Sequence, residues 1–137
     1  NHVNPDHKDF FGSTPLLYAA ERGDTTIVKL LLDTNHVDPD HRDDNRFTPL
    51  LSAAWHGHTA IVKLLLNTNC VNPDHKNCWG RTPLSYAAEH GHTDIVKLLL
   101  DTNRVDPYSR DEDGLMPADW GRRKHNEVLR LLQNVQQ

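Results

Sequence analysis

The chain has 137 residues, 36% of them hydrophobic and 25% charged, with a formal net charge of −4. That composition fits one soluble globular domain and excludes a membrane span, since no apolar run nears the roughly 18 residues required. The negative charge argues against a nucleic-acid partner, which calls for a basic stripe, although the ten histidines would reverse the sign below about pH 6.5.

In chain order, the first unit (1–34) opens on Val3-Asn4-Pro5 and reaches Thr14-Pro15-Leu16. Thr before Pro is a helix N-cap followed by the residue best suited to the first helical position. Gly23 is predicted to end this first helix in the left-handed region. Thr25 opens a second helix through Ile27-Val28-Lys29-Leu30-Leu31-Leu32. The second unit (35–68) repeats the plan 34 residues on, with Val37-Asp38-Pro39, Thr48-Pro49-Leu50, Gly57 and Thr59. The third (69–102) repeats it again, with Val71-Asn72-Pro73, Thr82-Pro83-Leu84, Gly91 and Thr93. In that unit Leu84, Ala87 and Ala88 fall on one helical face, and the apolar residues of the second helix leave Lys97 alone on the outside. Asn35, Asn69 and Asn103 follow the second helices, where Asn substitutes for Gly in a left-handed turn. Segments such as "VNPDHKNCWGR" read as extended turns or fingers. The last unit (103–137) is degenerate, with Val105-Asp106-Pro107 and Met116-Pro117-Ala118. Arg122, Arg123, Asn126, Glu127, Arg130, Gln133 and Asn134 make its outer side polar, as a terminal cap requires. The prediction is a single all-α domain over 1–137, a solenoid of finger, helix, turn, helix units. None of these units buries its apolar face alone.

The stretch "GRTPLSYAAEHGHTDIVKLLL" (80–100), with its equivalents, resembles the ankyrin repeat over essentially the whole chain. The style of repeat is similar to long ankyrin arrays in fungal proteins. Leu17, Leu51 and Ser85 stand where the family usually has His after Thr-Pro-Leu, so each unit is expected to rely more on packing. The resemblance implies a non-enzymatic module that binds a protein partner through a concave surface of finger tips and first helices.

His7, His41 and His75 share one register, and His58 and His92 another. Each register repeats at about the 10 Å helix-packing distance, too far apart to converge on a metal at roughly 2 Å. His56 and His58 flank a turn glycine and are expected to point apart. The reading is solvated turn histidines, some bonding loop backbone, with no metal and no cofactor. No phosphate loop, Gly-x-Ser-x-Gly elbow or isolated carboxylate pair occurs, so no enzyme activity is expected. Cys70 and Cys78, eight apart, are read as free thiols of a reducing, cytoplasmic setting.

Positions that vary between units are the binding candidates. On the fingers these are Phe10 and Phe11, Asp44 and Asn45, Trp79, Glu112, and the residues before the helix caps, Phe47, Arg81 and Leu115. On the first helices they are Glu21, Arg22, Trp55, His56, Glu89 and His90, with Arg123 and Lys124 in the last unit; Tyr18, Tyr86 and Trp120 are ambiguous between packing and exposure. Phe10, Phe11, Phe47, Trp55 and Trp79 are the expected anchors, since exposed aromatics dominate interfaces. Lys29 with Asp33, Lys63 with Asn67 and Lys97 with Asp101 are read as i, i+4 pairs on a solvated outer face. Leu16, Tyr18, Ala19, Leu30 and Leu31 would face where a preceding repeat should be, so the chain is expected to be the end of a longer array; it is expected to be a monomer. The alternatives are a self-associating structural module and an engineered scaffold.

Overall fold

The computed structural model describes residues 4–122 and 125–135, so Arg123 and Lys124 lie outside the described residues. Among these are eight helices in four antiparallel-type pairs and no strand. They are α1 (Pro15–Arg22) and α2 (Thr25–Asp33), α3 (Pro49–His56) and α4 (Thr59–Asn67), α5 (Pro83–Glu89) and α6 (Thr93–Asp101), and α7 (Pro117–Gly121) and α8 (Asn126–Asn134). The first helices pack in one row, α1 on α3 on α5 on α7. The second helices form a parallel row behind them, α2 on α4 on α6 on α8. Between the rows runs one apolar core, from Leu16 and Val28 through Leu50, Ile61, Leu65, Leu84, Ile95 and Leu99 to Val128 and Leu132.

The local chemistry follows the sequence closely. The Thr14, Thr48 and Thr82 hydroxyls accept from the backbone N–H of Leu17, Leu51 and Ser85, 3.2–3.3 Å away. In the last unit Met116 has no such oxygen, and the Asp119 carboxylate takes over by accepting from the Met116 N–H at 2.8 Å. Asn35, Asn69 and Asn103 all adopt positive φ, 57°, 57° and 54°.

The joints between units are hydrogen-bonded, which corrects the expectation that packing must compensate for the missing family histidine. Nε2 of His58, His92 and His125 lies 2.9–3.0 Å from the carbonyl oxygens of Glu21, Trp55 and Glu89 in the preceding unit. His41 and His75 reach the finger carbonyls of Gly12 and Arg46 in the same way. A carbonyl only accepts, so Nε2 carries the proton in each case. Gly23 and Gly57 complete the joint. Their φ values are 83° and 79°, and a Cβ there would sit 2.6–2.7 Å from the ring of the incoming His58 or His92. A second set of links runs the other way: the Asp6, Asp40 and Asp74 carboxylates accept from the backbone N–H of Asp38, Asn72 and Asp106. Burial raises the pKa of Asp40 and Asp74 above the usual carboxylate value.

Three further expectations fail. The rings of His56 and His58 do not point apart; they lie parallel, 6.1 Å between centroids and 9° between planes. Each ring is held by a backbone carbonyl, His56 by that of Ser52 in its own helix and His58 by that of Glu21 in the preceding unit, and those bonds fix the ring planes. The outer face is exposed as expected, but its i, i+4 pairs do not close into ion pairs among the described residues, in keeping with the small worth of such pairs in water. At the first unit, Leu16 and Ala19 are buried inside the unit rather than left open. The open face is Ile27, Leu30 and Tyr18; Ile27 is 46% exposed where its equivalents Ile61 and Ile95 are 0%.

Each finger is closed by a four-residue turn whose last residue has positive φ: Gly12, Arg46, Gly80 and Gly114. Arg46 is the odd member, with φ 63°. A residue with a Cβ pays roughly 1–2 kcal/mol for the left-handed region, part of which glycine returns as unfolded-state entropy. Arg46→Gly is therefore expected to stabilise the protein by about 0.5–1 kcal/mol, read as a higher denaturation midpoint at unchanged slope. A lower midpoint would mean that the Arg46 side chain does something for the fold that its exposed position hides.

Candidate functional site

The fingers stand over the first-helix row, and side chains from both meet in a groove. Its construction starts at the finger turns. The side-chain oxygens of Asp9, Asp43, Asn77 and Asp111 each accept two backbone N–H groups of their own turn, holding it rigid. In three units the same residue also bonds an aromatic of the following first helix, nine positions on. Tyr18 donates to Asp9, Asn77 donates to the Tyr86 hydroxyl at 2.7 Å, and the Trp120 indole N–H donates to Asp111 at 2.8 Å. The Tyr18 bond lowers the pKa of Asp9 and raises that of Tyr18. Finger and helix are thereby clamped together.

The second unit breaks the pattern, because Ser52 stands where the others have Tyr or Trp. The missing ring leaves a recess of about 340 Å³ floored by Leu17 and Ser52 and walled by Phe47, Trp55 and His56. A second recess, of about 410 Å³, opens between the third and fourth fingers beside Trp55, Trp79, Tyr86 and Trp120.

A ladder of flat groups links the two. The His56 ring stacks on Trp55 (5.6 Å, 17°), and Trp55 stacks on Tyr86 (4.8 Å, 4°). The Arg81 guanidinium lies over Tyr86 at 4.0 Å and over Trp120 at 3.8 Å. Arg81 also pairs with Glu89 at 2.6 Å and bonds Ser85 through its hydroxyl and carbonyl oxygens. The small Ser85, at the position where the family's histidine is usual, leaves the room that Arg81 fills. Burial raises the Tyr86 hydroxyl pKa, and burial also holds His90 below the ordinary histidine value, so it stays neutral near pH 7.

The structure brings some of the expected site residues together and not others. Trp55 (37% exposed), His56, Trp79 (49% exposed), Glu89, His90 and Glu112 meet along the groove. Glu21 and Asn45 line the first recess. Phe10 and Phe11 are the most exposed aromatics, at 92% and 64%, but they pair edge-to-face with each other on the first finger, away from the ladder. Arg22 sits over the Tyr18 ring at 5.8 Å. Asp44 and Leu115 are exposed on their fingers and line neither recess. Two expectations are corrected. Phe47 is 9% exposed, because its ring folds into a small core with Leu51 and Tyr86 and touches both Trp55 and Trp79. Arg81 is 9% exposed, enclosed by its two aromatic faces and Glu89.

Sequence reasoning missed the roles of Asn77, Tyr86, Trp120, Asp111 and Ser52. The nine-residue spacing between the Asx of each finger and the aromatic of each helix was the available signal. Among the described residues no group of three or more His, Cys, Asp or Glu side chains could hold a metal ion, and no helix is long and apolar enough to cross a membrane. A family model described as ankyrin repeats in three copies matches residues 1–74, and one described as ankyrin repeats in many copies matches residues 66–119. No curated protein matches the chain.

Proposed function

Because the chain belongs to the ankyrin-repeat family, whose members are generally protein–protein interaction modules and typically non-enzymatic, we propose that it binds a protein partner in the groove between its fingers and its first-helix row and performs no chemistry of its own. The observation that carries this reading is the half-exposed pair Trp55 and Trp79, both held by contact with the buried Phe47. Large aromatics that are already fixed lose little side-chain entropy on binding, which is what an interface anchor needs. The scaffold makes no use of the exposed faces: the helix caps, the joints and the core are complete without them. The two cysteines, both free thiols, support placing this binding in a reducing, intracellular compartment.

Site-specific photocrosslinking tests the location. A benzoylphenylalanine in place of His56, on the groove, is expected to trap one discrete protein adduct. The same group in place of Lys97, on the outer face of α6, is expected to trap none. Adducts from Lys97 alone, or the same adducts from both positions, would place the binding surface elsewhere.

A further inference from the structure

The second recess carries a charge pattern that says what kind of segment fits it. Among the described residues four carboxylates line it, from Glu89, Asp111, Glu112 and Asp113, against the single guanidinium of Arg81. Arg81 is spoken for by Glu89, and Asp111 is spoken for by the Trp120 indole and by backbone N–H groups. Glu112 and Asp113 are exposed at the tip of the fourth finger and make no ion pair among the described residues. The nearest basic side chains of these fingers turn onto backbone instead, Lys76 onto the Arg110 carbonyl and Arg110 onto that of Gly114. Trp79 stands next to Glu112, whose backbone N–H donates to the Trp79 carbonyl at 3.1 Å. Among the described residues the Trp79 indole meets only the Phe47 ring, edge-on at 71°, and stacks on none. An open indole face beside unpaired carboxylates attracts a cation, through the ring quadrupole and through charge together.

The chain holds its own example of that chemistry in the same recess. Arg81 lies flat against Tyr86 and Trp120 and pairs with Glu89. Trp79 with Glu112 and Asp113 offers the same combination with the guanidinium missing.

We propose that the recess between the third and fourth fingers receives a basic segment of the partner protein, an arginine side chain lying on the Trp79 indole and paired with Glu112 and Asp113. This rests on the groove being the binding surface. Arginine fits better than lysine because a planar guanidinium can stack and pair at once, whereas an ammonium is a compact, strongly hydrated charge. The segment as a whole is basic because, among the described residues, every charge at the recess without an ion-pair partner is negative.

The test is a selection from a random dodecapeptide display library on the full chain, with each selected peptide measured against three variants. Peptides enriched in arginine are expected, with lysine second. Their affinity is expected to fall at least tenfold on Trp79→Ala and at least tenfold on the double change Glu112→Lys with Asp113→Lys, two exposed positions whose replacement leaves the fold intact. Raising salt from about 50 to 200 mM is expected to weaken them severalfold. Peptides that lose binding on Trp79→Ala but carry no arginine or lysine, or that bind the double Lys variant unchanged, would overturn the basic segment and leave the groove standing. Peptides indifferent to both Trp55→Ala and Trp79→Ala, or a selection that enriches nothing, would overturn both.

Discussion

Tyr86→Ala is expected to destabilise the protein by about 3–5 kcal/mol, the range for deleting a buried aromatic. Tyr86 is 3% exposed. Its ring is covered on one side by Trp55 and on the other by the Arg81 guanidinium, and it forms a small core with Phe47 and Leu51. Removing it leaves a cavity, frees one face of Arg81 and strands the Asn77 amide, which now donates to the Tyr86 hydroxyl. Tyr86→Phe separates these causes. It keeps the ring and removes only the acceptor, so about 1–3 kcal/mol is expected, the cost of one buried donor left without a partner. Chemical denaturation monitored by circular dichroism reads both. A loss under about 1 kcal/mol for Tyr86→Ala would mean that the aromatic ladder is not part of the folding core.

Trp79→Ala and Trp55→Ala are expected to weaken binding of the partner trapped at His56 by roughly 2 kcal/mol or more each, about thirtyfold, as central aromatic anchors do. The two should differ in what they do to the fold. Trp79 touches Phe47 by an edge and is half exposed, so its removal is expected to cost well under 1 kcal/mol of stability. Trp55 is stacked on both Tyr86 and His56, so a loss of about 1–2 kcal/mol accompanies its binding defect, in line with partial loss of a stacked pair and its buried area. The joint made by its carbonyl survives, because His92 bonds the Trp55 backbone and not the indole. Titration calorimetry beside thermal denaturation gives both readings. Affinities unchanged in both variants would rule out this groove as the binding surface.

How much of this was legible in the sequence depended on whether the signal repeated. Thr14, Thr48 and Thr82 cap helices, and Asn35, Asn69 and Asn103 turn left-handed, because each is a short-range preference written three times. The histidine joints were half legible. The register of His58 and His92 was visible, but not that the ring reaches across to the previous unit, since that contact spans 37 positions. Phe47 and Arg81 were misplaced for a related reason. Both sit at a varied position that reads as surface, and part of what buries them comes from the next unit: Trp79 and Tyr86 against Phe47, Trp120 against Arg81. A side chain's exposure here depends partly on neighbours one unit away, and single-unit patterns carry no information on those.

The absent ring at Ser52 separates shape from stability in this protein. Joints, caps and core all lie elsewhere, so the residue at that helix position sets the depth of the first recess while the stacking of the units proceeds without it. The wall beside it is fixed by Phe47 and Trp55, which answer to Tyr86 in the next unit rather than to Ser52. Natural variation could therefore alter what the groove admits by changing one side-chain volume, leaving the architecture under separate selection.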